Sequence, residues 1–138
     1  MRITVENLNG VLEEIETLID DEKLKPALQR CCALVERSAK QKAPKGTGAL
    51  RNSITSKVEY EGDKLVATVF TPLEYAPYIE FGTGLFAEGG NGRKDVPWCY
   101  QDDEGNWHST SGMKPQPFMR PALNENREEI LRLLKEGI

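Results

Sequence analysis

The chain of 138 residues has few of the side chains that build metal centres and disulfide frameworks: three cysteines and one histidine. Cys31 and Cys32 are adjacent, which does not suit an ordinary disulfide between them, and no Cys-x-x-Cys spacing occurs. We therefore expect a reducing compartment, with the thiols used as small apolar side chains. The single histidine, His108, stands in a polar, turn-rich segment that favours neither a zinc site nor a catalytic triad. The prediction is a protein that is not an enzyme and binds no cofactor or metal.

Long apolar runs are also lacking, so the sequence predicts no transmembrane helix and no contact with a membrane. The first residues contain no apolar stretch of the secretory type, and we expect no signal peptide. Hydrophobic residues make up 38% of the chain and charged residues 29%, an ordinary globular composition. A chain of this length is expected to fold as one domain over residues 1–138 without stabilisation by disulfides or metal ions.

Charge is unevenly distributed, although the net charge is only −4. Residues 6–22 contain seven acids and no base, whereas residues 23–57 contain nine bases and one acid, Glu36. One interpretation is two solvated helix faces. The other is a pair of complementary faces that meet between subunits, where charge sets orientation and register. The candidate interface residues in these segments are Glu13, Glu16, Arg30, Arg37 and Lys40.

Apolar residues recur at helical spacing in two N-terminal segments. Residues 8–19 carry one apolar stripe, which predicts a helix that ends near Asp20. A second helix is predicted from about Glu22, with Pro26 in its first turn, and Pro44 ends it. The residues predicted to face the core from this second helix are Leu24, Leu28, Cys31, Val35 and Ala39.

Alternating patterns predict the strands. Residues 3–5 give a short strand signal, and residues 53–60 and 64–70 flank a turn and predict a hairpin. Residues 96–101 and 106–110 predict a second hairpin. The order of these elements predicts an α+β fold, with an antiparallel sheet packed against N-terminal and C-terminal helices.

The segment 85–115 is the least regular part of the chain. It is predicted to be an extended loop or β-hairpin arm inserted in the core, and the glycines of residues 89–92 predict that it is flexible. The last helix is predicted to follow it, with Pro121 in the first turn and Leu123, Ile130 and Leu134 on the apolar face.

Aromatic residues are only 7% of the chain, but three of them fall in the predicted second hairpin. Trp98 and Tyr100 share one face of a strand, and Trp107 is expected across from them on the partner strand. One interpretation is a small satellite cluster. The other is an exposed aromatic patch that binds another protein.

The basic residues around the loop at 45–48 are candidates for binding nucleic acid. This loop lacks the Gly-Lys-Ser/Thr ending of a phosphate loop, and no aromatic residues are interleaved to stack on bases. Phosphate contact through Lys40, Lys42, Lys45 and Arg51 nevertheless stays open. The alternative function is therefore a nucleic-acid-binding module that uses the Arg37–Arg51 segment, with DNA contact that is not sequence-specific.

Three stretches occur in a characteristic order. They are Ala43-Pro44 followed by residues 47–54 (TGALRNSI), residues 75–83 (YAPYIEFGT) and residues 115–123 (PQPFMRPAL). After a lysine-bearing amphipathic helix, this series resembles the tailed-phage morphogenesis family typified by gene product ten of the Hong Kong 97 phage. The resemblance covers roughly residues 24–134, and the aromatic-rich insertion at 85–114 departs from it.

The resemblance implies a structural protein without catalysis, a tail-completion, neck or minor tail subunit at the head–tail joint. Its implied partners are further copies of itself in a ring and the neighbouring connector or tail proteins. Its implied location is the host cytoplasm during assembly and then the neck or tail of the virion.

Structural roles are expected for the residues of the three stretches. Gly48 and Gly82 are expected in turns, and at least one of Tyr78, Glu80 and Arg120 is expected in a buried polar contact. The residues expected to brace helices against the sheet are Pro77, Phe81, Pro117 and Phe118. The full set of candidate motif residues is Gly48, Leu50, Arg51, Tyr78, Glu80, Phe81, Gly82, Phe118, Arg120 and Pro121.

Overall fold

The computed structural model describes residues 2–4, 21–46 and 48–137. The chain divides into two compact units, which we call the core unit (Met1–Leu73 with Phe118–Ile138) and the aromatic unit (Glu74–Pro117). The elements in chain order are β1 Arg2–Thr4, α1 Asp21–Lys42, α2 Ala49–Ser53, β2 Thr55–Glu61, β3 Lys64–Phe70, α3 Ala76–Phe81, β4 Trp98–Gln101, β5 Trp107–Thr110, α4 Met119–Asn124 and α5 Arg127–Glu136. The α+β class is confirmed, whereas the single domain over residues 1–138 stays a prediction.

The core unit contains an antiparallel three-stranded sheet in the order β1-β3-β2. Both hairpin strands are confirmed, and Ser56 pairs with Val69 and Val58 with Ala67 in the observed register. The tight turn between them needs glycine at Gly62, where φ is 66°. The central strand β3 is buried along four consecutive residues, 66–69, whereas β2 at the edge is mostly exposed.

Helix α1 packs on β2 and β3. All five residues predicted to face the core are buried, which confirms the helical stripe. Pro26 lies inside α1 as its sixth residue, so its predicted place in the first turn is wrong. Residue 26 therefore gives no N–H to the helical ladder. The predicted helix at residues 8–19 lies outside the described residues.

The predicted last helix is two helices, α4 and α5, and both pack against α1. Asn126 lies between them, and its side-chain Nδ2 donates to the carbonyl of Ala122 at 2.7 Å. A short amide side chain that bonds to nearby backbone competes with the helical ladder and interrupts it. Pro121 is in the first turn of α4, as predicted, and Ile130 and Leu134 of α5 are fully buried.

The aromatic unit begins with α3, which has Pro77 near its start and ends at Gly82, where φ is 81°. Two 3₁₀ turns follow, and β4 and β5 then form the predicted second hairpin. Residues 83–85 run beside residues 111–113: the Thr83 amide donates to the Met113 carbonyl at 2.9 Å, and the Leu85 amide donates to the Ser111 carbonyl at 3.0 Å.

Glycine permits this close approach of backbone in the aromatic unit. A Cβ on Gly84 would overlap the carbonyl oxygen of Ser111, and one on Gly112 would overlap the carbonyl oxygen of Thr83. Both glycines also have positive φ, 59° and 125°. The unit is therefore shaped by backbone contacts that other residues do not fit. Among the described residues, no helix has the length and apolar content needed to cross a membrane.

Candidate functional site

The exposed large hydrophobic side chains are concentrated in the aromatic unit. Of the nine found among the described residues, only Tyr60 belongs to the core unit. The other eight are Tyr75, Tyr78, Phe81, Leu85, Phe86, Tyr100, Trp107 and Met113. Single exposed apolar residues are ordinary on protein surfaces, but a concentration of them marks a surface that other molecules cover.

The β4–β5 hairpin has two different faces. Tyr100 pairs with His108 and Gln101 pairs with Trp107, and residues directly opposite one another in an antiparallel pair share a face. Trp107 therefore lies on the face away from Trp98 and Tyr100, and its predicted place across from them is wrong. The register decides this, because a shift of one residue moves a side chain to the other face.

The first face of the hairpin carries a stacked pair of rings. The Tyr100 and His108 ring centroids are 5.3 Å apart, and His108 Nε2 lies 2.7 Å from Asp102 Oδ2. Asp102 Oδ1 accepts the backbone N–H groups of Glu104 and Asn106 at 3.0 and 2.8 Å. These hydrogen bonds hold the pKa of the Asp102 carboxyl below its usual value, and the bond with His108 has the largest effect. The turn is thus organised by one carboxylate.

A groove of about 560 Å³ lies within the aromatic unit, beside α3. Tyr78 and Phe81 line it from α3, and Trp98, which is half-buried, lines it from β4. The Arg93 guanidinium lies 5.1 Å from the centroid of the Trp98 ring, a cation–π distance. Arg93 and Glu88 are two charged residues in the lining of this apolar groove. Such a composition is typical of a binding site in which apolar walls contact the bound group and a few charged side chains fix its orientation.

The second face of the hairpin carries Trp107, which is 71% exposed and the most exposed large hydrophobic residue described. Cys99 and Gln101 are on the same face, because they alternate with Trp98 and Tyr100 along β4. Burying a tryptophan of this exposure removes a large apolar area from water. Trp107 is therefore an exposed anchor residue for a partner, on the face opposite Trp98 and Tyr100.

The basic residues of α1 and the following loop are only partly free. Lys40 pairs with Glu36 at 3.6 Å, and Lys42 pairs with Glu125 at 2.6 Å. Arg51 Nε donates to the Lys40 carbonyl at 3.0 Å, a bond to one of the last carbonyls of α1. Three of the five cations between residues 37 and 51 thus have partners inside the chain, and the charges of two of them, Lys40 and Lys42, are offset by acids.

Two thiols are buried in α1. Burial is the largest cause that raises the pKa of Cys31 from 9.0 to about 11, and it does the same for Cys32. A thiol with this pKa is protonated at neutral pH and is a poor nucleophile or metal ligand. Among the described residues, no group of three or more His, Cys, Asp or Glu side chains could hold a metal ion.

The motif residues divide into turn, buried and exposed positions. Gly48 and Gly82 both have φ of 81°, so the expected turn geometry is confirmed. Glu80 is fully buried, as are Phe118 and, nearly so, Leu50. Arg120 and Pro121 are half-buried.

Two of the expected bracing residues are on the surface. Phe81 and Pro117 are exposed, and the expectation that they brace helices against the sheet stays a prediction. Tyr78, which was a candidate for a buried polar contact, is 60% exposed. Their burial depends on tertiary neighbours, which a local sequence motif does not report.

Sequence reasoning did not find the groove or the Asp102–His108 bond. A local signal existed only for the neighbouring bond from the Glu104 amide, because an Asp that opens a hairpin turn often bonds the backbone two residues on. The groove has no local signal, because its walls come from α3 and β4, which are separated along the chain. Glu13 and Glu16, the acidic candidates for the interface, lie outside the described residues.

The fold and these surfaces define a protein with a buried core in one unit and an exposed apolar surface in the other, a type that associates with other proteins. Residues 6–82 match the family model described as "Bacteriophage HK97-gp10, putative tail-component", which is more than half of the 138 residues. The chain belongs to this family of phage tail components. Comparison with curated proteins gave no match, and comparison with solved structures gave none either.

The matched range contains the first of the three sequence stretches and all but the last residue of the second. The third stretch, residues 115–123, and the hairpin β4–β5 lie beyond residue 82 and outside the match. Membership of the family supports a structural role in a phage tail, and the aromatic hairpin is a feature that the match does not cover.

Proposed function

We propose that this protein is a structural subunit of the head–tail joint, a tail-completion, neck or minor tail component that assembles into a ring and catalyses no reaction. The family match supports the phage role. The observation that carries the proposal furthest is that, of the nine exposed large hydrophobic side chains found in the described part of the chain, eight belong to residues 74–117. A surface of this kind is stabilised when a partner protein covers it.

The proposed partners are further copies of this chain and the neighbouring connector or tail proteins of the phage. The groove lined by Tyr78, Phe81 and Trp98 supports contact with a neighbour, because aromatic side chains in a concave site contribute most to binding energy. The proposed location is the host cytoplasm during assembly and the neck or tail of the finished virion.

Co-assembly with the phage neck and tail proteins tests this function. Wild-type protein and the double variant Tyr78→Ser, Phe81→Ser are mixed with those proteins, and complexes are counted by native mass spectrometry and electron microscopy. We expect the wild type to be incorporated and the variant to lose about 100-fold in affinity, since two anchors of about 1–2 kcal/mol each are removed.

The matched control for this experiment is Tyr60→Ser, because Tyr60 is 52% exposed but belongs to the core unit. We expect it to co-assemble as the wild type does. Infectious virions that form in a host lacking the gene would contradict the proposal, as would wild-type protein that joins no assembly. DNA contact is not part of the proposal, because three of the five cations between residues 37 and 51 are bonded within the chain.

A further inference from the structure

Helix α1 carries exposed cations outside its buried stripe. Arg30, Ala33 and Arg37 follow the i, i+3, i+7 spacing, so they lie in one line along the helix. All three are exposed, and neither arginine has an ion pair with a described residue. We call these three residues the arginine stripe. It is a positively charged helix face about 10 Å long between the two arginines, and the Arg30 guanidinium lies near Gly137 at the end of α5.

The aromatic unit has the opposite charge. Residues 74–117 contain seven acids and three bases, a net charge of −4, so the whole net charge of the chain is located there. Asp103 and Glu104 are exposed at the turn of the β4–β5 hairpin, and Trp107 begins β5 on the second face. Negative charge and an exposed indole are therefore close together at one end of a two-stranded ribbon.

We propose that the arginine stripe is the docking site for the β4–β5 hairpin of a second copy of this chain, an inference that rests on the proposed ring assembly. Charge complementarity identifies the occupant: Asp103 and Glu104 of one copy pair with Arg30 and Arg37 of the next. The Trp107 indole packs on Ala33, where both guanidinium planes can stack on its ring.

The dimensions of the two surfaces agree. Arg30 and Arg37 are about 10 Å apart along α1, and their long side chains can converge on the adjacent Asp103 and Glu104, whose Cα atoms are about 3.8 Å apart. The contact uses one surface on one copy and a different surface on the next, so it is heterologous and closes into a ring when the rotation permits. It also leaves the groove on the first face of the hairpin open for a neighbouring phage protein.

Charge-reversal variants test the pairing. Arg30→Glu with Arg37→Glu, and separately Asp103→Lys with Glu104→Lys, are compared with wild type by analytical ultracentrifugation over a concentration series. We expect each pair to weaken self-association about 30-fold or more and the combined four-residue variant to recover at least tenfold. We expect Trp107→Ala to weaken it similarly. Matched controls are Lys64→Glu with Lys135→Glu for charge and Tyr60→Ala for an exposed aromatic residue.

A crosslink provides a second measurement that does not depend on charge. In a Cys99→Ser background, Ala33→Cys and Asp103→Cys are introduced on separately tagged chains, which are mixed and oxidised. We expect a disulfide between the two tags, because the docked surfaces place these side chains together, and none for Tyr60→Cys with Asp103→Cys.

Several results would overturn this inference. They are a wild type that stays monomeric at about 1 mM, charge pairs that do not recover on combination, and recovery with Glu13→Lys and Glu16→Lys in place of the hairpin residues. Arginine variants that lose salt-dependent DNA binding while self-association is unchanged would assign the stripe to nucleic acid. If the charge variants still join the phage neck and tail, only the docking inference fails; if the wild type does not join them, the proposed function itself fails.

Discussion

The two units of this protein distribute apolar surface in opposite ways. Among the described residues, every buried apolar side chain except Ala76 belongs to the core unit, whereas every exposed large one except Tyr60 belongs to the aromatic unit. The core unit is stabilised by burial of its own side chains. The aromatic unit takes its shape from backbone hydrogen bonds, glycine contacts and a carboxylate-organised turn, which leaves its large side chains available to partners.

The largest expected effect comes from truncating an aromatic residue of the core. Phe118 is fully buried, so Phe118→Ala is expected to lower the free energy of unfolding by about 3–5 kcal/mol. Trp107→Ala, the matched change on the aromatic unit, is expected to alter it by less than about 0.5 kcal/mol. Urea denaturation followed by circular dichroism measures both, and similar losses for the two variants would contradict the comparison.

The second prediction concerns the glycine contacts that shape the aromatic unit. Gly84→Ala places a Cβ against the Ser111 carbonyl and strains a residue with φ of 59°, at an expected cost of about 2 kcal/mol or more. Hydrogen exchange is expected to accelerate at residues 83–86 and 111–113 and to stay slow in β3.

Gly90→Ala is the matched control for the Gly84 variant. Gly90 also has positive φ, 69°, but a Cβ there meets no atom within 4 Å. We expect a smaller cost of about 1 kcal/mol, from backbone strain alone. Equal effects of the two substitutions would show that the close approach at Ser111 does not matter. The same exchange data on wild type test whether residues 87–111 are the flexible arm that the sequence predicts.

The third prediction compares the thiols of the two units. At pH 7.5 we expect a thiol reagent to label one cysteine per chain, the exposed Cys99, and to reach Cys31 and Cys32 only after unfolding. The folded pKa of both buried thiols is about 11 and their ordinary value is 9.0. Between these values the unfolded chain has released protons that the folded chain retains, so stability falls as the pH rises.

The double variant Cys31→Ala, Cys32→Ala isolates that alkaline effect. We expect it to be less stable than wild type near pH 7, because buried sulfur contacts are lost, and to show a shallower fall between pH 9 and 11. Parallel pH profiles for the two proteins would contradict the assignment, and Cys99→Ala provides the control that leaves the profile unchanged.

The smallest expected effect is at the hairpin turn. Asp102→Asn weakens the acceptor for His108 and for the Glu104 and Asn106 amides, so these amides are expected to exchange faster at pH 7. The lowered pKa of Asp102 means that its contribution is present above the ordinary carboxyl pKa and is lost as the pH falls through the folded value. Asp103→Asn is the control, and equal exchange in both variants would show that Asp102 does not organise the turn.

Much of the core unit could be predicted from local patterns. The stripe from Leu24 to Ala39 is regular, and the turn at Gly62 separates two segments of alternating residues, so α1, β2 and β3 follow from hydrophobic periodicity. The break at Asn126 was missed because an apolar stripe continues across it. Its cause is a single side-chain bond to Ala122, which a periodicity argument does not include.

The candidate site was predictable in its content and not in its geometry. The aromatic residues of the second hairpin were identified. The face on which Trp107 lies depends on the strand register, and a turn one residue longer or shorter would move Trp107 to the other face. The exposure of Tyr78 and Phe81 depends on which surfaces pack over a six-residue helix. The acidic candidates at Glu13 and Glu16 lie outside the described residues, so their part in an interface stays a prediction.

The sequence by itself determined the α+β class, the main helix and hairpins, the family, and the uneven distribution of charge and aromatic residues. These properties are carried by composition, short motifs and local periodicity, which do not require knowledge of distant contacts. Only the tertiary structure decided that Tyr78 and Phe81 are exposed, which face of the hairpin carries Trp107, and which lysines of the basic segment form ion pairs. Those outcomes depend on register and on pairs such as Lys42 with Glu125, which lie far apart along the chain and meet only when it folds.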